Sequence, residues 1–139
     1  MDLSSIFDAG FERVVQKQGS IFFDTFYDVF TSKSPEIKAA FANTNMERQK
    51  LMLKDSLMHL VAFSLSQQVT SPLEKIATVH ANLQIGVELY DIWMDSLIES
   101  LSMVDTHYTN KDAMAWRVIL SHGVEYMKSH MRPQIAADD

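Results

Sequence analysis

Apolar side chains recur at the spacing of an α-helix along nearly the whole chain. Near the N-terminus, for example, one helix face would carry Ile6, Phe7, Phe11, Val14 and Val15. We find no convincing strand, and the pattern predicts an all-α fold of six or seven helices, over residues 3–17, 21–33, 35–41, 46–68, 71–83, 88–103 and from residue 109 onward. An ordinary helical bundle would show the same pattern, so the fold class alone gives no function.

Short polar segments predict where these helices begin and end. Gly19-Ser20 is expected to break the first helix and cap the second, and Ser34-Pro35-Glu36 is expected to start the third. Two segments have capping-box form. They are Ser71-Pro72-Leu73-Glu74 and Thr109 to Asp112, the second with aspartate in place of the usual glutamate or glutamine. The last helix is expected to face the core with Met114, Val118, Leu120, Val124 and Met127. With 139 residues and no linker, the chain is predicted to be a single domain over residues 1–139.

The composition excludes several kinds of site and partner. The chain has no cysteine, which excludes disulfides, thiolate zinc sites, iron–sulfur clusters and a cysteine nucleophile. Its net charge of −6 disfavours nucleic acid and anionic membranes as partners, since both require a positive patch. The N-terminal segment Met1-Asp2-Leu3-Ser4 is not basic and no long apolar run follows it. We therefore expect a cytoplasmic protein without a signal peptide or a membrane span.

Five histidines are candidate ligands, at positions 59, 80, 107, 122 and 130. No pair has the spacing of a zinc-binding helix motif, and the chain has neither a nucleophile elbow nor a Gly-rich phosphate loop. His80 differs from the others because its neighbours near the helix end are apolar: Ile76, Val79, Leu83 and Ile85. Such a setting suits axial ligation of a flat apolar cofactor. On the local sequence alone, however, a core histidine that bonds a backbone carbonyl is the preferred interpretation.

Four short motifs change that preference. The first is Phe26-Tyr27-Asp28-Val29-Phe30 followed by Pro35-Glu36-Ile37 and Phe41, and the second is Gln49 with Leu53 four residues later. The third places Tyr90 ten residues after His80, with Gln84-Ile85 between them, and the fourth is Ala115-Trp116. In this order, over about residues 20–127, the set resembles bacterial single-domain globins of the Vitreoscilla-haemoglobin type and the globin part of flavohaemoglobins. The resemblance implies a globin fold around one haem b.

The resemblance also implies roles for individual residues. His80 would ligate the haem iron on the proximal side, with its other ring nitrogen bonded to the Ile76 carbonyl and with Tyr90 nearby. Tyr27 and Gln49 would donate hydrogen bonds to a ligand on the distal side. Four residues would contact the porphyrin or line its pocket, although each also fits as ordinary core: Phe41, Leu53, Ile85 and Leu97. Gln49 also fits a solvated position, because the spacing from Phe41 is two residues shorter than in flavohaemoglobins.

Two departures from the flavohaemoglobin pattern bear on function. Counting from Trp116, the position of that family's proximal glutamate falls on Met131, and Val87 stands in place of a common proline. The resemblance therefore favours reversible binding of O2, and of NO or CO, over turnover. The alternatives are an NO dioxygenase or peroxidase supplied by an external reductase, a haem-based gas sensor that acts on a partner protein, and a helical interaction protein without haem. The sequence allows a monomer or a homodimer.

Overall fold

The computed structural model describes residues 2–83 and 85–130, which form seven α-helices and no strand. In chain order the helices are α1 (Leu3–Phe11), α2 (Lys17–Ser32), α3 (Pro35–Ala40), α4 (Met46–Ser66), α5 (Ser71–Asn82), α6 (Val87–Val104) and α7 (Asn110–Ser129), and a π-helical segment, Glu12–Gln16, joins α1 to α2. The all-α prediction is confirmed. None of the helices in this part of the chain is both long and apolar enough to cross a bilayer.

The core lies where three pairs of helices pack, namely α2 with α6, α1 with α7, and α4 with α7. Trp116 on α7 is fully buried, and its ring centroid lies 4.9 Å from that of Phe7 and 6.1 Å from that of Phe22. These rings are tilted against one another, which is the arrangement that aromatic quadrupoles favour. Helix α5 lies at the edge of this core, where it contacts α4 and α7.

The predicted break at Gly19-Ser20 is wrong. The backbone leaves helical geometry one residue earlier, at Gln18 (φ −131°, ψ 28°), and the helix then continues through both residues. No side chain caps this kink; instead the Gln18 side-chain amide donates to the Arg13 carbonyl at 3.3 Å. The wider turns of the π-helical segment precede the kink and redirect α2, and the apolar pattern of the sequence gives no sign of them.

Of the other three predicted helix starts, two are as expected. The Ser34 hydroxyl accepts from the Ile37 N–H at 3.1 Å, and the Asp112 carboxylate accepts from the Thr109 N–H at 2.9 Å. The capping box at Ser71–Glu74 is wrong, because Thr70 is the N-cap and its hydroxyl accepts from the Leu73 N–H at 3.3 Å. Proline tolerates either register of the first turn, because it has no N–H to satisfy.

Candidate functional site

Tyr27 on α2 and Gln49 on α4 meet across the two helices. The side chain of Asn45 accepts a hydrogen bond from the Arg48 N–H at 3.2 Å, which fixes the start of α4 and places Gln49 in its first turn. The Gln49 Nε2 donates to Tyr27 Oη at 3.1 Å. The ring of Phe41 lies edge-on to that of Tyr27, with centroids 5.5 Å apart. The structure therefore brings together three residues that come from two separate motifs.

The phenol of Tyr27 accepts one hydrogen bond and keeps its own hydrogen. Its oxygen accepts from Gln49, so its own O–H hydrogen remains available for another group. Burial raises the pKa of Tyr27 above its ordinary value, and the Gln49 hydrogen bond and the charge of Lys50 only partly offset that rise. Tyr27 therefore stays protonated at neutral pH.

His80 lies in the last turn of α5, half-buried, with its ring oriented by the backbone. Its Nδ1 lies 2.8 Å from the carbonyl oxygen of Ile76. A carbonyl can only accept a hydrogen bond, so in the neutral ring Nδ1 carries the hydrogen and Nε2 carries the lone pair. That is the tautomer of a histidine that ligates a metal through Nε2. Within residues 2–83 and 85–130, no group of three His, Cys, Asp or Glu residues could hold a metal ion by itself.

Tyr90, at the start of α6, lies beside His80, with ring centroids 6.5 Å apart. Tyr90 is buried, and its hydroxyl has no hydrogen-bond partner among the described residues. Burial raises the pKa of Tyr90, so the phenol is neutral. Met131, the position expected to correspond to the flavohaemoglobin glutamate, lies outside the described residues.

The remaining predicted site residues differ in exposure. Leu97 on α6 is fully buried and Leu53 on α4 nearly so, whereas Phe41, Ile76 and Ile85 are half-buried. Several apolar residues near His80 or Leu53 in the chain are exposed, at 47% for Val79, 67% for Leu83, 45% for Val87 and 50% for Met52. Three of these, Val79, Leu83 and Val87, lie within seven residues of His80 in the sequence.

The sequence interpretation missed Asp24 and Lys50. Lys50 Nζ lies 2.6 Å from Asp24 Oδ1, and this ion pair links α4 to α2 beside the Tyr27–Gln49 hydrogen bond. The sequence gives no sign of this ion pair, because the partner of Lys50 lies on another helix. The signal that could have indicated the pair is the position of its members in the sequence. Asp24 precedes Tyr27 by almost one helical turn, and Lys50 follows Gln49 directly.

The structure resembles a crystal structure of a Pseudomonas aeruginosa PAO1 protein described as structurally highly homologous to a human hemoglobin. The two share 30% sequence identity with a TM-score of 0.85, over 95% of this chain and 100% of that chain. This chain belongs to the globin family. The predicted globin fold is thereby confirmed. No family model matches this globin's sequence, and neither does any curated protein.

Proposed function

We propose that this globin binds one haem b through His80 and binds O2 reversibly. The observation that carries the proposal is the 2.8 Å contact between His80 Nδ1 and the Ile76 carbonyl, which leaves the Nε2 lone pair for a metal. Bound haem would supply an iron atom that binds O2, NO or CO. A histidine of this tautomer would suit haem, which supplies the other iron ligands itself.

The apolar residues near the site also fit haem. Val79, Leu83 and Val87 flank His80 in the sequence and are all more than two-fifths exposed, at 47%, 67% and 45%. A flat apolar cofactor would cover such side chains, and their burial would favour its binding by roughly 25 cal/mol per Å² of apolar surface. Phe41 and Leu53 would contact the cofactor from the distal side, and Ile85 and Leu97 would help to exclude water.

Tyr27 and Gln49 would serve as the distal hydrogen-bond donors. The free O–H hydrogen of Tyr27 and the second amide hydrogen of Gln49 are both available to a polar diatomic ligand. In a buried site each such bond is stronger than in water, because less solvent screens it. The arrangement supports tight O2 binding with slow release.

The second candidate function is NO dioxygenation with electrons from a separate reductase. The same pair of distal donors supports it, because O2 held for longer has more time to meet NO. The departure at Met131, where the flavohaemoglobin pattern has a glutamate, favours the simpler binding role.

Absorption spectra of the haem-loaded protein test the proposal, recorded in the ferric state, after reduction and after exposure to O2. We expect haem uptake and a stable spectrum of the O2 complex. An NO-consumption assay with a generic reductase then separates O2 binding from NO dioxygenation. Failure to take up haem would contradict the proposal.

Replacement of Tyr27 by phenylalanine should speed O2 release by about tenfold or more, since loss of one hydrogen bond worth about 1.4 kcal/mol changes a rate by that factor. Stopped-flow measurement of the O2 dissociation rate checks this. Tyr108→Phe makes the same chemical change outside the distal cluster and should leave the rate unchanged. An unaltered rate in Tyr27→Phe would show that Tyr27 does not contact the ligand.

A further inference from the structure

An ion pair joins α2 and α4 immediately beside the distal hydrogen bond. Lys50 Nζ lies 2.6 Å from Asp24 Oδ1, and Gln49 Nε2 lies 3.1 Å from Tyr27 Oη. Lys50 follows Gln49 directly, and Asp24 lies almost one turn before Tyr27 on the same side of α2. The two contacts are therefore neighbouring links between the same two helices.

Lys50 is well placed to hold the first turn of α4. Its side chain is only 21% exposed, and its ammonium also lies 3.5 Å from Glu47 one turn earlier. Lys50 and Asp24 form part of the wall of a groove of about 500 Å³ whose wall also includes Tyr27 and Phe41. Asp24 and Lys50 therefore line the same groove as Tyr27.

The distal hydrogen bond needs such support. Gln49 belongs to the first turn of its helix, where backbone hydrogen bonds are incomplete and the helix frays most easily. Its side chain is long and loses rotamer freedom when it is held against Tyr27. Because Lys50 is the adjacent residue, a fixed Lys50 also fixes the backbone from which the Gln49 side chain extends.

We infer that the Asp24–Lys50 ion pair is a positioning element that holds Gln49 against Tyr27 and thereby slows the release of O2. The inference rests on the proposed function, in which Tyr27 and Gln49 are the ligand's hydrogen-bond donors. The pair acts through position, because it links α2 to the first turn of α4 beside the Tyr27–Gln49 hydrogen bond. Removal of either partner should therefore change the release rate in the same direction.

The test compares Lys50→Met, Asp24→Asn and Lys50→Arg with the control Lys33→Met. Lys33 forms an ion pair of similar kind, 3.2 Å from Glu99, that links the end of α2 to α6 away from Tyr27. We expect Lys50→Met and Asp24→Asn each to speed O2 dissociation by roughly two- to fivefold, the range for a partly exposed ion pair. Lys50→Arg should retain the slow rate, and Lys33→Met should match the unmodified protein.

Double variants distinguish positioning of the Gln49 side chain from a general destabilisation of the fold. In a Gln49→Leu background, Lys50→Met should cause no further acceleration, because the side chain that Lys50 positions is already absent. Additive effects would overturn the inference, as would unchanged rates in both single variants. Opposite effects of Lys50→Met and Asp24→Asn would also overturn it, since they would show action through charge instead of position.

A measurement without O2 keeps this inference distinct from the proposed function. The side-chain amide resonances of Gln49 can be assigned by NMR in the protein as purified and compared between the unmodified protein and Lys50→Met. We expect the substitution to shift them toward the values of a solvated glutamine, while Lys33→Met leaves them in place. If haem uptake fails, the proposed function falls and this comparison still decides the inference: unmoved resonances would overturn it.

Discussion

Replacement of His80 by alanine should abolish normal haem binding. The alanine side chain offers no nitrogen in place of Nε2, through which His80 would hold the haem iron, and the hydrogen bond to the Ile76 carbonyl disappears with the ring. Loss of only the hydrogen-bonding partner of a metal ligand typically costs about 10–100-fold in affinity, so loss of the ligand itself should cost more. The ratio of haem to protein after reconstitution, together with the ferrous absorption spectrum, measures the effect.

His59 provides the matched control for this substitution. It lies on α4 and is partly exposed, and its Nε2 lies 3.4 Å from an Asp55 carboxylate oxygen. This contact accounts for the position of the ring without a bound cofactor. His59→Ala should bind haem with unchanged spectra. Free imidazole added to His80→Ala should partly restore the original spectrum, because the substitution leaves room for it. Unchanged haem spectra in His80→Ala would overturn the assignment of the proximal ligand.

The parts of the fold that the sequence predicted well depend on local interactions. Ser34 and Thr109 lie within a few residues of the groups that they cap, so these helix starts are visible in short segments. The kink at Gln18 was missed because it follows from a π-helical segment. Val14 and Val15 in that segment are buried, as an ordinary α-helix would also predict.

The inward face of α7 shows how tertiary packing overrides a local pattern. Met114 and Val118 were expected to face the core, but they are 57% and 42% exposed. Ala115 and Trp116 are fully buried instead, because the Trp116 ring packs against Phe7 of α1. Both faces of this helix carry apolar residues at helical spacing, so only the packing partners decide which face is buried.

The sequence indicated candidate site residues one by one but not their arrangement. Motif spacing pointed to Tyr27 and Gln49 separately, whereas their hydrogen bond depends on how α2 and α4 cross. The ion pair between Asp24 and Lys50 was not predicted for the same reason, since the two residues lie far apart in the sequence. Ion pairs between helices depend on how the helices pack, so they cannot be predicted from a single sequence.

Replacement of Arg13 by methionine should destabilise the fold strongly. Arg13 lies in the π-helical segment, and its guanidinium lies 2.9 Å from Asp105 and 3.3 Å from Asp112. The two carboxylate side chains are only 1% and 5% exposed. Without Arg13 both would be left as buried charges without a cation, which typically costs 3–5 kcal/mol when a pair is fully buried. Because the Arg13 side chain is itself 29% exposed, we expect about 3 kcal/mol, near the lower limit.

Urea unfolding at neutral pH measures this loss, and Arg117→Met is its control. Arg117 also contacts an aspartate at 2.9 Å, but both side chains of that pair are exposed, at 48% and 63%. An exposed ion pair contributes about 1 kcal/mol or less, so the control should change the free energy of unfolding by no more than that. Equal effects of the two substitutions would contradict a special role for burial at Arg13.

The effect of Arg13→Met should also depend on pH. Burial alone would raise the pKa of Asp105, but the hydrogen bonds from Arg13 and from the His107 N–H, with the charge of Arg13, hold that pKa below its ordinary value. A carboxyl whose pKa is lowered by folding stabilises the protein above its unfolded pKa of about 4, and the stabilisation is lost as pH falls through the folded pKa. In Arg13→Met the guanidinium no longer opposes the effect of burial, so the pKa of Asp105 should rise. Asp105 should then bind a proton at a higher pH, which removes the buried charge. The difference in unfolding free energy between the two proteins should therefore narrow as pH falls from about 7 toward 4. A constant difference over that range would show that Arg13 acts through packing of its aliphatic stem and not through its charge.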